Sequence, residues 1–210
     1  RNPLYEENGT QAKYLTADEY LSGNVREKLA VARRLAESEP GFAANVTALE
    51  EVQPTDLTAS EISVRLGATW LPEDVVQEFM YQLLDTPYYA QWKVKVHYSR
   101  YTGGWNVEGK SYDRSNINAI STYGTDRVNA YKIIEDTLNL RDVRVFDYVE
   151  DENGKRVPIL NKKETAIAQG KQELIKQAFQ DWIWKDQPRR ERLCKLYNEQ
   201  FNALRPREYD

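Results

Sequence analysis

The sequence predicts an α+β fold, in which a small antiparallel sheet of two hairpins is packed by several helices. Three observations support this prediction. Apolar residues recur at helical spacing through the first 92 residues, the period changes to the alternation of strands near residue 93, and helical spacing returns over the last 50 residues. We therefore divide the sequence into a helical region, 1–92, a region of hairpins with an intervening helix, 93–160, and C-terminal helices, 161–210, and we expect one compact unit.

The N-terminal region contains stretches that begin and end with the signals of helices. Pro40 is expected to end the helix that follows Asn24, because proline cannot continue a helix. Several of these stretches are preceded by a candidate N-cap or have a proline in the first turn. These residues are Thr16 with Glu19, Asn24, Thr58 with Glu61, and Pro72.

The first hairpin is predicted at residues 92–111. In "WKVKVHYSRY" the side chains of Val94, Val96 and Tyr98 alternate onto one face. "TGG" turns the chain, and "WNVEGKS" returns it with Trp105 and Val107 on one face.

A helix and a second hairpin are predicted next. The helix lies in "TDRVNAYKIIEDTLNL", where Val128, Tyr131, Ile134 and Leu138 form an apolar stripe. The second hairpin lies in "VRVFDYVEDENGKRVPIL", because Asn153-Gly154 is a strong turn signal.

Two helices are predicted in the C-terminal region, the second of them starting at Pro188. The first has a wide apolar stripe, which we expect to face the core. This stripe consists of Ile167, Leu174, Ile175, Ala178, Phe179 and Trp182.

The composition excludes several classes of site. The chain has one histidine, His97, and one cysteine, Cys194, so a Cys/His zinc site within one chain is excluded, whereas a carboxylate-held Mg²⁺ site is not. No apolar run approaches the roughly 20 residues of a membrane span. We expect a cytoplasmic protein that does not bind membranes, with packing as the role of Cys194 and no assigned catalytic or metal-binding residues.

The charge is divided unequally along the chain. Residues 1–92 carry 7 basic and 15 acidic side chains, whereas residues 93–210 carry 22 basic and 18 acidic ones. A net charge of +4 beside one of −8 indicates a nucleic-acid or acidic partner for the second part. The alternative is that these charges belong to solvated faces of surface helices.

Residues 104–111, "GWNVEGKS", match the G-x-x-x-x-G-K-[ST] pattern of phosphate-binding loops. Such a loop requires a helix directly after it, and "SYDRSNINAIS" has no convincing apolar stripe. Glu108 would also place a negative charge beside the phosphates. We therefore predict that Gly103 and Gly104 turn a hairpin and that Gly109 relaxes a strand.

A cluster of aromatic and basic residues around the first hairpin is the candidate binding surface. Basic side chains contact phosphates, and aromatic rings stack on bases. The cluster also contains Tyr112, and its candidate nucleic-acid-binding residues are Tyr101, Trp105, Lys110, Arg114, Tyr123 and Arg127. The alternative is that the aromatic rings belong to the core of the sheet and the charges surround it.

Five long stretches carry a resemblance to a known family. They are "DEYLSGNVREKLAVAR", "LTASEISVRLGATWLP", "STYGTDRVNAYKIIEDTLNLRDVRVFD", "NKKETAIAQGKQELIKQAFQDWIWKD" and "YNEQFNALRPREYD". Together they resemble the linking region of very large proteins, carried on bacterial mobile elements and phage-like DNA, that fuse an N-6 adenine DNA methyltransferase with a Swi/Snf-type superfamily-two helicase. The resemblance implies that this chain is a fragment lying between the two catalytic parts.

The resemblance favours a non-catalytic module that couples the DNA methyltransferase and the helicase and contacts DNA. It implies no cofactor for this fragment, whereas the parent protein would use ATP, Mg²⁺ and S-adenosylmethionine. The flanking methylase and helicase domains would be its partners. Two alternatives remain open: a purely structural protein-docking domain, and a nucleotide-binding or nuclease domain.

Overall fold

The computed structural model describes residues 2–5 and 12–208 and confirms the α+β prediction. The helices are α1 Ala17–Tyr20, α2 Val25–Ala36, α3 Ala43–Glu51, α4 Glu73–Leu84, α5 Tyr88–Gln91, α6 Ala130–Leu138, α7 Lys162–Ile183 and α8 Gln187–Phe201. The strands are β1 Asn2–Tyr5, β2 Ala12–Leu15, β3 Gly23–Asn24, β4 Lys95–Ser99, β5 Gly104–Glu108, β6 Phe146–Glu150, β7 Arg156–Leu160 and β8 Leu204–Arg205. A 3₁₀ turn at Pro40–Phe42 and a π-helix at Asn118–Thr122 complete the described elements.

The chain divides into two compact units where one was expected. The first comprises the described residues of Arg1–Ile62 and Glu191–Asp210, and the second is Ser63–Arg190. The division does not follow the predicted boundaries at 92 and 160, because helices α4 and α7 pack in the same unit as the hairpins. Periodicity along the sequence shows where helices lie but not which of them share a core.

In the first unit, helices α2 and α3 enclose a small core. Its buried side chains are Tyr20, Val25, Leu29, Ala32 and Leu49. As predicted, the side chain of Asn24 caps α2 by accepting a hydrogen bond from the amide of Glu27 at 3.1 Å. The short strand β3 pairs antiparallel with β8, which the sequence did not reveal.

In the second unit, the β4–β5 hairpin lies between helices α4 and α6. Its register pairs Val96 with Val107 and Tyr98 with Trp105, so the predicted apolar faces coincide. The helices α4, α6 and α7 pack against this hairpin and against one another. Their largest fully buried side chains include Phe79, Met80, Leu84, Tyr131, Ile133, Ile134, Leu138, Ile175 and Phe179.

The outer edge of β4 is closed by side chains of α4. Glu73 accepts a hydrogen bond from the amide of Tyr98 at 2.6 Å, and Gln77 accepts one from the amide of Val96 at 3.1 Å. Residues four apart on a helix rise about 6 Å, which matches the spacing of alternate amides on a strand. The helix therefore satisfies the strand edge in place of another strand.

The outer edge of β5 is closed in the same way by α6. Asn139 accepts a hydrogen bond from the amide of Trp105 at 2.9 Å and donates one to its carbonyl at 2.8 Å. Glu135, one turn earlier, accepts a hydrogen bond from the amide of Val107 at 2.8 Å. Both edges of this two-stranded sheet are thus paired with helical side chains.

The second predicted hairpin is also present, with β6 and β7 joined through the turn at Asn153-Gly154. Unlike β4–β5, it leaves large apolar side chains exposed to solvent. These are Phe146, Tyr148, Val149, Val157, Ile159 and Leu160.

Two sequence predictions are wrong in the N-terminal region. Residues 2–5 and 12–15 form an antiparallel strand pair, not helix. Thr58 and Glu61 do hydrogen-bond to each other, since the Thr58 amide donates to the Glu61 carboxylate at 2.8 Å, but the turn they close is not continued as a helix. The capping pair is a local interaction, and it does not require a helix after it.

The predicted apolar stripe of α7 is only partly buried. Ile175 and Phe179 are fully buried, as expected, whereas Ile167 and Leu174 are exposed. The buried face instead continues through residues of mixed polarity, namely Thr165, Ala168, Gln172 and Ile183. Thr165 and Gln172 hydrogen-bond to the backbone of residues 141–145, so polar side chains occupy positions where apolar ones were expected.

Candidate nucleic-acid interface

The structure does not bring the six predicted binding residues together. Within the described residues, no hydrogen bond, ion pair or ring contact joins any two of them. Tyr101 is fully exposed in the turn of the β4–β5 hairpin, and Tyr123 is half-buried after the π-helix. Arg127 forms an ion pair with Asp147 at 2.8 Å, and this contact lowers the pKa of the aspartate.

Trp105 belongs to the core, as the alternative interpretation held. Its side chain is 5% exposed, its ring lies 4.9 Å from that of Tyr98, and its indole N–H is buried without a hydrogen-bond partner in the described part of the chain. A ring buried in this way presents no face on which a base could stack.

Lys110 is held by α6. Its Nζ lies 2.6 Å from a carboxylate oxygen of Glu135 and donates a hydrogen bond to the carbonyl of Val107 at 2.7 Å. Burial of Glu135 opposes its ionisation, but hydrogen bonds from Lys110 and from the Val107 amide outweigh burial and lower the pKa of the carboxyl. This lysine therefore fastens β5 to α6.

We expect Glu135 to make the stability of the chain depend on pH in acid. Because its folded-state pKa lies below its ordinary value of 4.5, its contribution is present at neutral pH and is lost as the pH falls through the folded-state pKa. The Glu135→Gln variant cannot lose a charge, so its free energy of unfolding should fall less between about pH 5 and pH 3. Urea unfolding across this range measures the difference, with Glu152→Gln in the exposed β6–β7 turn as the control. Equal pH dependence in all three proteins would contradict the assignment.

Residues 104–108 form strand β5, as predicted, but Gly109 begins a turn with a φ of +67° where a relaxed strand was expected. The amides of the strand are occupied. The amides of Trp105 and Val107 donate to side chains of α6, and those of the alternate residues face β4 in the hairpin. After Ser111 the chain continues as turns until the π-helix at Asn118–Thr122. This arrangement does not gather amides at the head of a helix, as a phosphate-binding loop would.

A different group of residues presents exposed rings and cations on one part of the second unit. We call it the aromatic patch, and it consists of Tyr88, Tyr89, Trp92, Lys93, Tyr112 and Arg114. Tyr88 is 89% exposed, Tyr89 and Trp92 are each 62% exposed, and Tyr112 is 46% exposed. Arg114 is the one member of the predicted binding set that belongs to it.

Helix α5 and the residue after it carry most of the patch. Pro87 precedes the helix with the extended conformation that suits an N-terminus, and Ala90 turns inward to the core with 0% exposure. Tyr88 and Trp92 are four residues apart, so they lie on the same face of the helical turn. The short helix thus places two large, exposed rings on one of its faces.

The turn at residues 109–112 completes the patch. Tyr112 and Trp92 meet edge to face, with ring centroids 6.0 Å apart, and the Nζ of Lys93 lies 4.4 Å from the centroid of the Trp92 ring. Gly109 has a φ of +67°, and a Cβ at this position would lie 2.5 Å from the carbonyl oxygen of Lys93. The absence of a side chain at Gly109 therefore allows the two segments of the patch to meet.

A buried polar cluster fixes the loop that carries Tyr112 and Arg114. Asp113, between them, is 4% exposed, and its carboxylate accepts hydrogen bonds from the hydroxyl of Tyr131 at 2.8 Å and from the side-chain amide of Asn116 at 2.6 Å. The Tyr131 hydroxyl also lies 2.8 Å from that of Thr86. Burial, together with the neighbouring Asp113, raises the pKa of Tyr131 above its ordinary value, so its hydroxyl stays protonated and can donate.

The binding residues predicted from the sequence do not include Tyr88, Tyr89, Trp92 and Lys93. The available signal was "PYYAQWK", a short segment with three aromatic residues after a proline. Aromatic residues in such a segment are as compatible with a core as with a surface, and only the packing of Ala90 shows which side is buried.

The remaining candidates do not assemble into a reactive site. His97 is exposed, with its Nε2 3.6 Å from the carboxylate of Glu108, and Cys194 is a half-buried free thiol on α8. Over residues 2–5 and 12–208, no group of three or more His, Cys, Asp or Glu residues is placed to hold a metal ion. No helix in this described part combines the length and the apolar character needed to cross a bilayer.

Comparison with known proteins gives one finding. A family model described as a domain of unknown function, DUF8437, matches residues 65–203. No curated protein and no solved structure matches the sequence.

Proposed function

Since the chain belongs to the DUF8437 family, a domain of unknown function, we propose its role from the chemistry of its surface: it is a non-catalytic module that contacts DNA through the aromatic patch. The observation that carries this proposal is the placing of exposed rings beside cations. Lys93 lies over Trp92, and Arg114 follows Tyr112 on the adjoining loop. Cations attract the phosphate backbone, and rings of this exposure offer faces to bases.

The charges around the patch support an anionic ligand. Asp113 lies between Tyr112 and Arg114 in sequence, but its carboxylate is buried and hydrogen-bonded, so it does not present its charge at the surface. Arg114 uses its Nε to hydrogen-bond the carbonyl of Ser111 at 2.9 Å, which orients an exposed guanidinium group. The net formal charge of −4 would oppose DNA binding elsewhere on the chain, which makes a local cationic contact necessary.

The setting we propose is a protein that joins an adenine DNA methyltransferase to a Swi/Snf-type helicase. This part of the proposal rests on the sequence resemblance alone. In that setting the module would couple the two catalytic parts in the cytoplasm, and those parts would use ATP, Mg²⁺ and S-adenosylmethionine. Sequencing the gene on both sides of this segment tests the setting, since methylase motifs should precede it and helicase motifs should follow it.

DNA binding by this chain should weaken with salt, and removing the two cations of the patch should reduce that dependence. Each lost phosphate contact is expected to make the slope of log affinity against log salt shallower by about 0.7 to 0.9. For Lys93→Ala combined with Arg114→Ala, the slope should therefore change by about 1.4 to 1.8. Fluorescence anisotropy of labelled DNA between about 20 and 200 mM salt measures it.

A matched control removes the same number and type of cationic side chains from another surface. Lys155→Ala combined with Arg156→Ala takes one lysine and one arginine from the exposed end of the β6–β7 hairpin, which contributes nothing to the patch. This variant should keep the wild-type slope. If the chain retains no DNA even at low salt, or if both double variants change the slope equally, DNA contact through the patch is refuted.

A protein-docking function is a second candidate, and the β6–β7 hairpin favours it. Two-stranded hairpins are marginally stable alone, and this one exposes apolar side chains on both faces, with Phe146 and Tyr148 on one and Val149 and Ile159 on the other. The second function would be favoured over the first if the chain does not bind DNA but does associate with the separately produced helicase part of such a protein.

A further inference from the structure

We infer that the aromatic patch takes unpaired bases, so that the DNA it binds is single-stranded. The inference rests on the proposed function and names the form of its ligand. Its basis is the exposure of flat ring surface at Tyr88, Tyr89 and Trp92 beside only two cations.

A duplex cannot use these rings. In double-stranded DNA the faces of the bases are covered by stacking, so a protein surface meets phosphates and groove edges. A surface that binds duplex phosphates and groove edges is rich in lysine and arginine, whereas this patch has four aromatic residues and two cations. In a single strand each base has a free face, and an aromatic side chain can stack on it regardless of sequence.

The arrangement of the rings suits a strand that passes across α5. Tyr88 and Trp92 occupy one face of the helical turn, and Tyr112 packs edge to face against Trp92, which restricts how the indole can rotate. Lys93 lies beside the same ring, where its ammonium group can meet the phosphate next to a stacked base. Because these contacts hold the Trp92 ring before binding, it loses less conformational entropy than a free ring when the ligand arrives.

The exposed rings of the patch contribute little to the packing of the core. Among the described residues, Tyr88 has no ring contact or hydrogen bond from its side chain, and the Trp92 ring has one ring contact, with Tyr112, and one cation contact, with Lys93. A Trp92→Ala variant should therefore fold, and its loss of binding can be separated from loss of structure. This makes Trp92 the informative position for the test.

The test compares a labelled oligo-dT strand with a duplex that carries the same number of phosphates, using the full chain at one low salt concentration. We expect the wild-type chain to prefer the single strand, and Trp92→Ala to weaken single-strand affinity by about 5- to 150-fold while leaving duplex affinity nearly unchanged. Trp92→Phe keeps a ring and should retain most of the affinity. The control Tyr148→Ala removes a ring with the same 62% exposure from the β6–β7 hairpin and should change neither affinity.

The outcomes separate this inference from the proposed function. Equal affinities for the two forms, or an equal loss of both in Trp92→Ala, would overturn the single-strand inference and leave DNA contact intact. Binding to neither form by the wild-type chain would overturn both. Circular dichroism melting of each variant shows that a lost affinity comes from the missing ring.

Discussion

Replacement of Asp113 by alanine is expected to lower the free energy of unfolding by about 3 kcal/mol. The carboxylate is 4% exposed and accepts hydrogen bonds from Tyr131 and Asn116. Its removal takes an acceptor from the buried hydroxyl of Tyr131 and from the partly buried side-chain amide of Asn116. Each group left unsatisfied costs about 1–3 kcal/mol. Urea unfolding followed by circular dichroism measures the change.

Two further substitutions distinguish the hydrogen bonds from the packing at Asp113. Asp113→Asn keeps an acceptor of the same shape and should cost less than Asp113→Ala. Tyr131→Phe removes only the donated hydroxyl, and we expect a loss of about 1–2 kcal/mol. A loss below about 1 kcal/mol in Asp113→Ala would show that water replaces the carboxylate and that the cluster does not fix the loop.

The same substitution connects stability with the proposed binding. Asp113 stands between Tyr112 and Arg114, so releasing it frees a ring and a cation of the patch together. Asp113→Ala should consequently weaken single-stranded DNA binding at temperatures where the chain is still folded. Tyr131→Phe, which leaves the hydrogen bond from Asn116 in place, should affect binding less.

The parts of the fold that local interactions determine could be predicted from the sequence. Asn153-Gly154 specifies a tight turn, Asn24 caps the helix that follows it, and alternation in 94–98 places the valines on one face. Each of these signals involves residues within a few positions of one another. The pairing of β3 with β8 joins segments about 180 residues apart, and no local pattern specifies it.

The candidate site could not be predicted because burial is a property of the tertiary structure. Trp92 and Trp105 are the same residue type in the same stretch of sequence, yet one is 62% exposed and the other 5%. Lysine is a residue type that contacts phosphates, but the ammonium group of Lys110 forms an ion pair with Glu135, which lies 25 residues later in the sequence. The predicted binding set and the aromatic patch therefore contain the same types of residue but share only Arg114.

Replacement of Gly109 by alanine is expected to be as damaging as the loss of Asp113. A Cβ at this position would lie 2.5 Å from the Lys93 carbonyl oxygen and 2.9 Å from its carbon, and both belong to backbone that cannot turn aside. The left-handed conformation, with a φ of +67°, adds about 1–2 kcal/mol for any L-residue. Together these effects should cost about 3–4 kcal/mol and move the 109–112 turn away from Trp92.

Gly103 provides a control that separates the contact from the backbone conformation. Its φ of +66° is almost the same as that of Gly109, but a Cβ there would meet nothing within 4 Å. Gly103→Ala should therefore show the conformational cost alone, about 1–2 kcal/mol, with single-stranded DNA binding unchanged. The difference between the two variants measures the contact with Lys93. An equal loss of stability in Gly103→Ala and Gly109→Ala would contradict the close approach of the 109–112 turn to Lys93. In that case the turn would not hold Tyr112 against Trp92.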